Sequence, residues 1–206
     1  MEFRPPIRLT GRFVELLPLS VEHVPGLARA ANDPGIWTYW RSAPLLGEER
    51  IRAYVTDLLA RQVEGTVLAF TLLARGEGAP AGVTRFFDIQ RPNGSVEIGT
   101  WLERRWWKTP FNTESKRLML AHAFETEGCH RVQLQTDVRN LPSLRAVERL
   151  GAVREGTLRE CAVNFDGHRR SSAIFSILAP EWPAVRTRLD AHLARPWPPT
   201  ASGGRP

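Results

Sequence analysis

Apolar residues along this chain recur at two spacings, every second residue and every third or fourth, and the switches between them mark out the elements. Arg12 to Leu17, with Phe13 and Val14 and a closing Pro18, predicts a first strand. Behind Ser20 as a cap, Val21, Val24, Leu27, Ala28 and Ala31 recur at helical spacing until Asn32-Asp33-Pro34-Gly35 stops them. A second helix is predicted from Glu48 to Arg61, with Ile51, Val55, Leu58 and Leu59 on one face and Glu48 and Glu49 at its positive end. Val67 to Ala74, Ala81 to Asp88 and Val96 to Leu102 then read as strands separated by the turn clusters GEGAP and RPNG, short links that imply an antiparallel meander. In the last of them Val96, Ile98, Thr100 and Leu102 alternate with Glu97, Gly99 and Trp101, so the Glu97 carboxylate faces away from the aliphatic row.

After this strand the pattern becomes loop (Glu103 to Phe111), helix (Thr113 to Glu127), strand (Arg131 to Asp137) and helix (Pro142 to Leu150), an α/β crossover that sets Val96–Leu102 parallel to Arg131–Asp137. In the second of these helices Leu141, Leu144, Val147 and Leu150 step by three, Pro142 suits the first turn and Gly151 the stop. Leu158 to Phe165 and Ser171 to Leu178 flank Asp166-Gly167 as a hairpin, and Pro183 to Leu193 reads as a last helix. Residues 1–194 therefore form one expected domain. Residues 195–206, rich in proline and glycine and without a core pattern, form a tail expected to be mobile.

The 206 residues suit a single core, and 42% hydrophobic with 24% charged residues rules out wholesale disorder or a fibrous repeat. Lys and Arg outnumber Asp and Glu, 28 to 22, and the resulting +6 invites an anionic partner such as a phosphorylated cofactor or RNA. Cys129 and Cys161 lack CxxC spacing, so neither a disulfide framework nor a zinc site is expected, and a reducing compartment suits them. No apolar run reaches 18 residues and Met1–Leu9 has no signal-like apolar region, so export and membrane spanning are disfavoured and the cytoplasm is the expected location. The five His show no HxxxH or HxH pairing, which argues against a metal, and no GxxxxGK[ST] nucleotide loop occurs.

The most informative segment is Val96 to Phe124. A strand ends there in a basic and aromatic loop, and Asn112 or Thr113 is expected to cap the following helix, whose first amides point back into the loop. Such a terminus is a seat for a pyrophosphate, although the same pattern also fits an ordinary capped helix after a solvated loop.

Several motifs in one order carry a resemblance: Glu97 on its strand, Asn112-Thr113-Glu114-Ser115-Lys116, His122-Ala123-Phe124-Glu125, the strand Arg131 to Asp137, and Asn140 followed by Ser143, Leu150 and Gly151. Over Arg12 to Leu193 the chain resembles the GCN5-related N-acetyltransferase (GNAT) superfamily and, within it, the RimJ/RimL-like group of protein and small-amine acetyltransferases. The resemblance implies an α/β (α+β) fold, a mixed, mostly antiparallel splayed sheet flanked by helices, with acetyl-CoA wedged between the strand of Glu97 and the strand beginning at Arg131. Trp101, Leu102, Trp107, Lys108, Thr109, Phe111, Asn112, Thr113, Asn140 and Ser143 are then the expected cofactor contacts. The family's pyrophosphate loop, Gln/Arg-x-x-Gly-x-Gly/Ala, falls here on Trp107, Pro110 and Asn112. Pro110 offers no N–H, which leaves the amides of Lys108, Thr109, Phe111 and Thr113, with Lys108 and Lys116 or Arg117 adding charge.

Acetyl transfer to nitrogen needs a neutral amine. An α-amine with pKa ~7.7 to 8 is neutral in roughly one molecule in ten at pH 7, whereas a lysine near ~10.4 is neutral in fewer than about one in a thousand. The resemblance makes Glu97 the candidate base, through a water, against an exposed structural carboxylate. It makes Ser143 the candidate hydrogen-bond donor to the leaving sulfur, because the tyrosine of many superfamily members falls near Val147; Ser143 and Asn140 also read as helix-end residues. Trp37, Tyr39 and Trp40 are expected either to wall the acceptor site or to lie in the core. The expected function is transfer of the acetyl group of acetyl-CoA to a primary amine, a protein N-terminus or a small amine, by direct attack. Two other readings stand beside it: a catalytically weak CoA-binding homologue, and a basic nucleic-acid-associated module built on Arg104-Arg105-Trp106-Trp107-Lys108. Arg169 and Arg170 read as surface charges, and a homodimer is compatible with all of this.

Overall fold

A computed structural model describes residues 1–197, and the tail expected to be mobile lies, for residues 198–206, outside the described residues. In chain order the elements are β1 (Leu9–Thr10), β2 (Val14–Pro18), α1 (Val24–Ala30), α2 (Glu48–Val63), β3 (Val67–Ala74), β4 (Pro80–Gln90), β5 (Ser95–Leu102), α3 (Pro110–Ala121), β6 (Arg131–Asp137), α4 (Leu141–Leu150), β7 (Val153–Val163), β8 (Arg169–Leu178) and α5 (Trp182–Leu193). The strands form one sheet in the order β1-β2-β3-β4-β5-β6-β8-β7. All neighbours are antiparallel except β5 and β6, as the crossover through α3 requires.

The alternation along β5 sorts its side chains as expected. Val96, Ile98 and Leu102 enter one core with Phe111, Met119 and Leu120 of α3 and Trp182, Val185 and Leu189 of α5. Trp101 enters a second core, on the other face, with Val24 and Leu27 of α1 and Ile51, Val55 and Leu58 of α2. On that second face the next strand, β6, carries Arg131, Gln133 and Gln135, and none of these is buried. The α1–α2 layer therefore stops near β5, and a polar sheet surface begins beside it.

Several boundaries differ from the expectation for physical reasons. The helix after β5 begins at Pro110, three residues before Thr113, because proline occupies the first helical position, where a missing N–H breaks no bond. Its expected last turns wind instead as a π-helical turn from His122 to Thr126, which buries His122 and Ala123 while Phe124 stacks on Trp182 at 5.6 Å. The terminal hairpin is longer than Leu158–Phe165 and Ser171–Leu178. Its outer strand, β7, is exposed along nearly its whole length and so has no buried face for the sequence to register.

Candidate active site

β5 and β6 pair over only three rungs, Ser95–Arg131, Val96–Val132 and Glu97–Gln133. Beyond Gln133, β6 continues paired with β8 to Asp137, and beyond Glu97, β5 continues paired with β4 to Leu102. A V-shaped cleft opens between them. Glu103 donates its amide to the Ala81 carbonyl at 2.8 Å, which makes that a hydrogen-bonded pair of the β4–β5 ladder. By the alternation of an antiparallel ladder, the backbone groups of Ile98, Thr100 and Leu102 then point away from β4 and into the cleft. One of them is taken: the Trp107 indole Nε1–H donates to the Leu102 carbonyl at 2.9 Å.

Glu97 stands on the last shared rung. It is 8% exposed, and its Oε2 accepts from Gln133 Nε2 at 2.9 Å. Burial raises its pKa above the usual carboxylate range, while the Gln133 hydrogen bond and the positive charges of Arg41 and Arg85 oppose the rise. This carboxylate is buried, not a solvated surface group.

The loop after β5 is built on its own aromatics. Trp106 is buried and stacks on Phe111 with ring centroids 4.8 Å apart, so the Phe111 side chain is core and only its backbone faces the loop. Thr109, not Asn112 or Thr113, caps α3: its Oγ1 accepts from the Phe111 amide at 3.3 Å and donates to the Trp106 carbonyl at 2.8 Å. Thr113 is buried in the first turns of the helix and Asn112 half-buried. Lys108 is exposed and sits at φ +61°, a left-handed conformation in which a glycine would be unstrained. The sequence pattern thus puts a turn here without supplying the glycine.

The extra charges expected from α3 are directed elsewhere. Lys116 is buried and donates to Thr100 Oγ1, which in turn lies 2.6 Å from Thr84 Oγ1. Burial lowers its pKa to about 7. Arg117 is bound by Asp190 through Nε at 2.8 Å and Nη2 at 3.3 Å. Neither is free to meet a phosphate. Glu114, between them and Asn112, accepts the backbone amides of Arg12, Phe13 and Val14 at 2.8, 2.6 and 2.9 Å, which fastens the start of β2 to the helix.

On the other wall, Asn140 caps α4, its Oδ1 accepting from the Ser143 amide at 3.1 Å. The Ser143 hydroxyl, half-buried, makes no hydrogen bond among the described residues, and Val147 is buried one turn on. The three aromatics before α2 separate. Trp37 is fully buried, donates to the Ala31 carbonyl at 2.9 Å and packs on Trp101 at 5.4 Å, so both indoles are core and present no wall to an acceptor. Trp40 packs edge-on against Trp37 and is half-buried. Tyr39, also half-buried, lies under the Arg139 guanidinium and gives its carbonyl to Arg170.

The basic aromatic run exposes one ring, Trp107, under the Arg104 guanidinium, rather than a row of stackable rings. Arg105 is paired with Glu77 and Glu103, Arg104 with Asp33, and Trp106 is interior. Among the described residues no helix is long and apolar enough to cross a membrane and no group of three His, Cys, Asp or Glu could hold a metal ion. Sequence reasoning missed three groups here. Gln133 holds Glu97, Lys116 lies in the core, and Arg170, expected at the surface, is buried. Lys116 carried a readable signal, since Thr113, Lys116 and Leu120 share one helical face with apolar neighbours; Gln133 and Arg170 carried none, because each depends on a segment far away in the chain, Glu97 on β5 and the Tyr39 loop.

The open strand edge, the helix start at Thr109–Pro110 and the exposed Lys108 together fit an acyl thioester of coenzyme A, whose amide-bearing arm suits a strand edge and whose diphosphate suits a helix N-terminus. A family model described as the acetyltransferase (GNAT) domain matches residues 14–153. A T. thermophilus protein named as a proposed acetyltransferase has a solved structure that is 38% identical, with a TM-score of 0.83, over 92% of this chain and 98% of its own. The uncharacterized N-acetyltransferase p20 of Bacillus licheniformis is 26% identical over 153 residues, 74% of this chain and 83% of its own length. Mycobacterium smegmatis RimJ, solved in complex with CoA-disulfide, is 21% identical with a TM-score of 0.77 over 91% of this chain and 93% of its own, a likeness of fold.

Proposed function

The chain belongs to the GNAT acetyltransferase family, with acetyl-CoA as its donor, and we propose that it acetylates a primary amine by direct attack, with Glu97 as base. The observation that carries this reading is the position of Glu97: a buried carboxylate with a raised pKa on the rung where β5 and β6 part. When bound, acetyl-CoA supplies an activated acyl carbonyl in the cleft. The cleft-facing backbone groups of Ile98 and Thr100 would hold the extended arm, and the start of α3 with Lys108 would hold the diphosphate.

An acceptor arrives as an ammonium ion and must lose a proton before it attacks. Glu97 takes that proton on a carboxylate oxygen, directly or through a water, and Gln133 keeps the carboxylate oriented while it does so. The Ser143 hydroxyl, which has no other partner among the described residues, is placed in this reading to donate to the departing thiolate. The likeness to the RimJ/RimL-like group and the proton arithmetic both favour an α-amine, as at a protein N-terminus, over a lysine side chain.

The test is cofactor-dependent thiol release over peptide N-termini, amino acids, polyamines and aminoglycosides, repeated with Glu97→Gln and Ser143→Ala. Turnover on at least one amine and a loss of ~10² or more in kcat for Glu97→Gln are expected. Turnover unchanged in Glu97→Gln would remove Glu97 as base, and silence across the whole panel would leave the chain a binding homologue.

A further inference from the structure

Guanidinium groups without carboxylate partners gather on the polar sheet face beside Glu97. Arg170 of β8 is 8% exposed, yet it forms no ion pair among the described residues. Its Nε donates to Ser172 Oγ at 2.8 Å and its Nη1 to the Tyr39 carbonyl at 2.7 Å, and both partners are neutral. Burial, and after it the charge of Arg41, act against its ionised form, while the charge of Asp137 supports it. A guanidinium taken out of water without a counter-charge costs stability unless something of opposite charge meets it. Arg41 is likewise unpaired; its Nη2 donates to Gln135 Oε1 at 3.4 Å, two residues along β6 from the Gln133 that binds Glu97.

The carboxylates nearby are committed or on the wrong side. Asp137 accepts from Arg139 through Nη2 at 2.9 Å and Nε at 3.2 Å. Asp88 accepts from Gln90 at 2.6 Å and lies past the Phe87–Glu97 rung toward Ser95, away from the cleft opening. Two cations therefore flank the open end of the site with no ion pair among the described residues, Glu97 acting on Arg41 and Asp137 on Arg170 only through space.

We propose that Arg41 and Arg170 form an acceptor subsite for a carboxylate, so that the preferred acceptor is a primary amine carrying a carboxylate one or two residues' length away. This rests on amine acetylation at Glu97. Gln135, which holds Arg41, lies two residues or ~7 Å along β6 from Gln133, and an extended residue of an acceptor spans up to ~3.6 Å, so with the amine at Glu97 a carboxylate two residues away reaches Arg41. Arg170, held at Ser172 opposite Asp137, is next along the face. The same cations disfavour the acceptor's ammonium form and so favour the neutral nucleophile.

The experiment compares matched acceptors with the full chain and saturating acetyl-CoA: N-terminal peptides Ser-Glu-Glu against Ser-Gln-Gln, and free glutamate against its bis-amide. A kcat/KM at least about tenfold higher for the acid of one pair is expected, carried mostly in KM, and the pair that shows it tells a peptide N-terminus from a free amino acid. Arg41→Met, an exposed position, and Arg170→Met should each bring the acid-to-amide ratio toward one. A clip that merely fastens the Tyr39 loop to β8 would lower both members of a pair alike. Equal kcat/KM for acids and amides, or a preference surviving both substitutions, would overturn the subsite. Calorimetry of the acetylated acid and amide products with the CoA-bound enzyme separates the two ideas: acid-selective binding without turnover sinks amine acetylation and keeps the subsite, and unselective binding sinks the subsite.

Discussion

Gln133 donates its side-chain amide to Glu97 at 2.9 Å across the last rung that β5 and β6 share. Burial favours the neutral carboxyl, and this hydrogen bond favours the ionised one. In the raised pKa of Glu97 burial is the largest effect and this bond the next, with Asp88 adding to the rise and Arg41 and Arg85 opposing it.

Removing the donor shifts that balance in a known direction. Gln133→Leu takes away a hydrogen bond to the charged form, so the Glu97 pKa rises further and the acid limb of the kcat/KM profile moves to higher pH. A pH–rate profile from about pH 5 to 9 reads the shift, and a limb that stays in place or moves to lower pH contradicts the assignment.

Lys116 gives a second pH dependence, with opposite chemistry. Its folded pKa of about 7 lies below the unfolded value of 10.5, so between these values the unfolded chain binds the extra proton and stability rises with pH. Below pH 7 the full cost of a buried ammonium is present, and above about pH 10.5 it is gone. Lys116→Met should therefore raise Tm by several degrees at pH 6 and by clearly less at pH 9.5. Thermal melts of both proteins at the two pH values check this, and a gain that grows with pH refutes it.

Glu114 satisfies three backbone amides, those of Arg12, Phe13 and Val14, from a helix about one hundred residues later. Glu114→Ala leaves them without an acceptor and should cost at least ~2 kcal/mol, a fall in Tm of about 5 °C or more. Glu114→Gln, which retains one acceptor oxygen, should fall between the two. Denaturant melts of the three proteins give the order.

Lys108 separates conformation from charge. At φ +61° its side chain sits in a left-handed backbone, and Lys108→Gly should stabilise the fold by ~1 kcal/mol, or about 2 to 4 °C in Tm. The same substitution removes a cation beside the start of α3 and should raise the KM for acetyl-CoA several-fold. Lys108→Ala should show the KM effect without the gain in stability.

The order of strands and helices is legible in the chain because most elements bury one face and so repeat at one period. β3 and β6 carry the expected boundaries, and the alternation along β5 puts Glu97 opposite Val96 and Ile98. Pro110 reads as a defect in a phosphate loop only when the helix is started at Thr113; as the first helical residue it has no N–H to lose. β7 reads shorter than it is because an edge strand open on both faces has no hydrophobic alternation.

Local periods were enough to establish the crossover between β5 and β6 and the presence of Glu97 on its strand, and a few motifs in order carried the family resemblance. They could not establish that β5 and β6 separate after Glu97, that Gln133 binds it, that Lys116 lies in the core or that Arg170 is buried without an ion pair among the described residues; these came from the packed chain alone. Each of them depends on which strand or helix lies alongside, since a side chain's solvation and partners are set by neighbours far away in the chain.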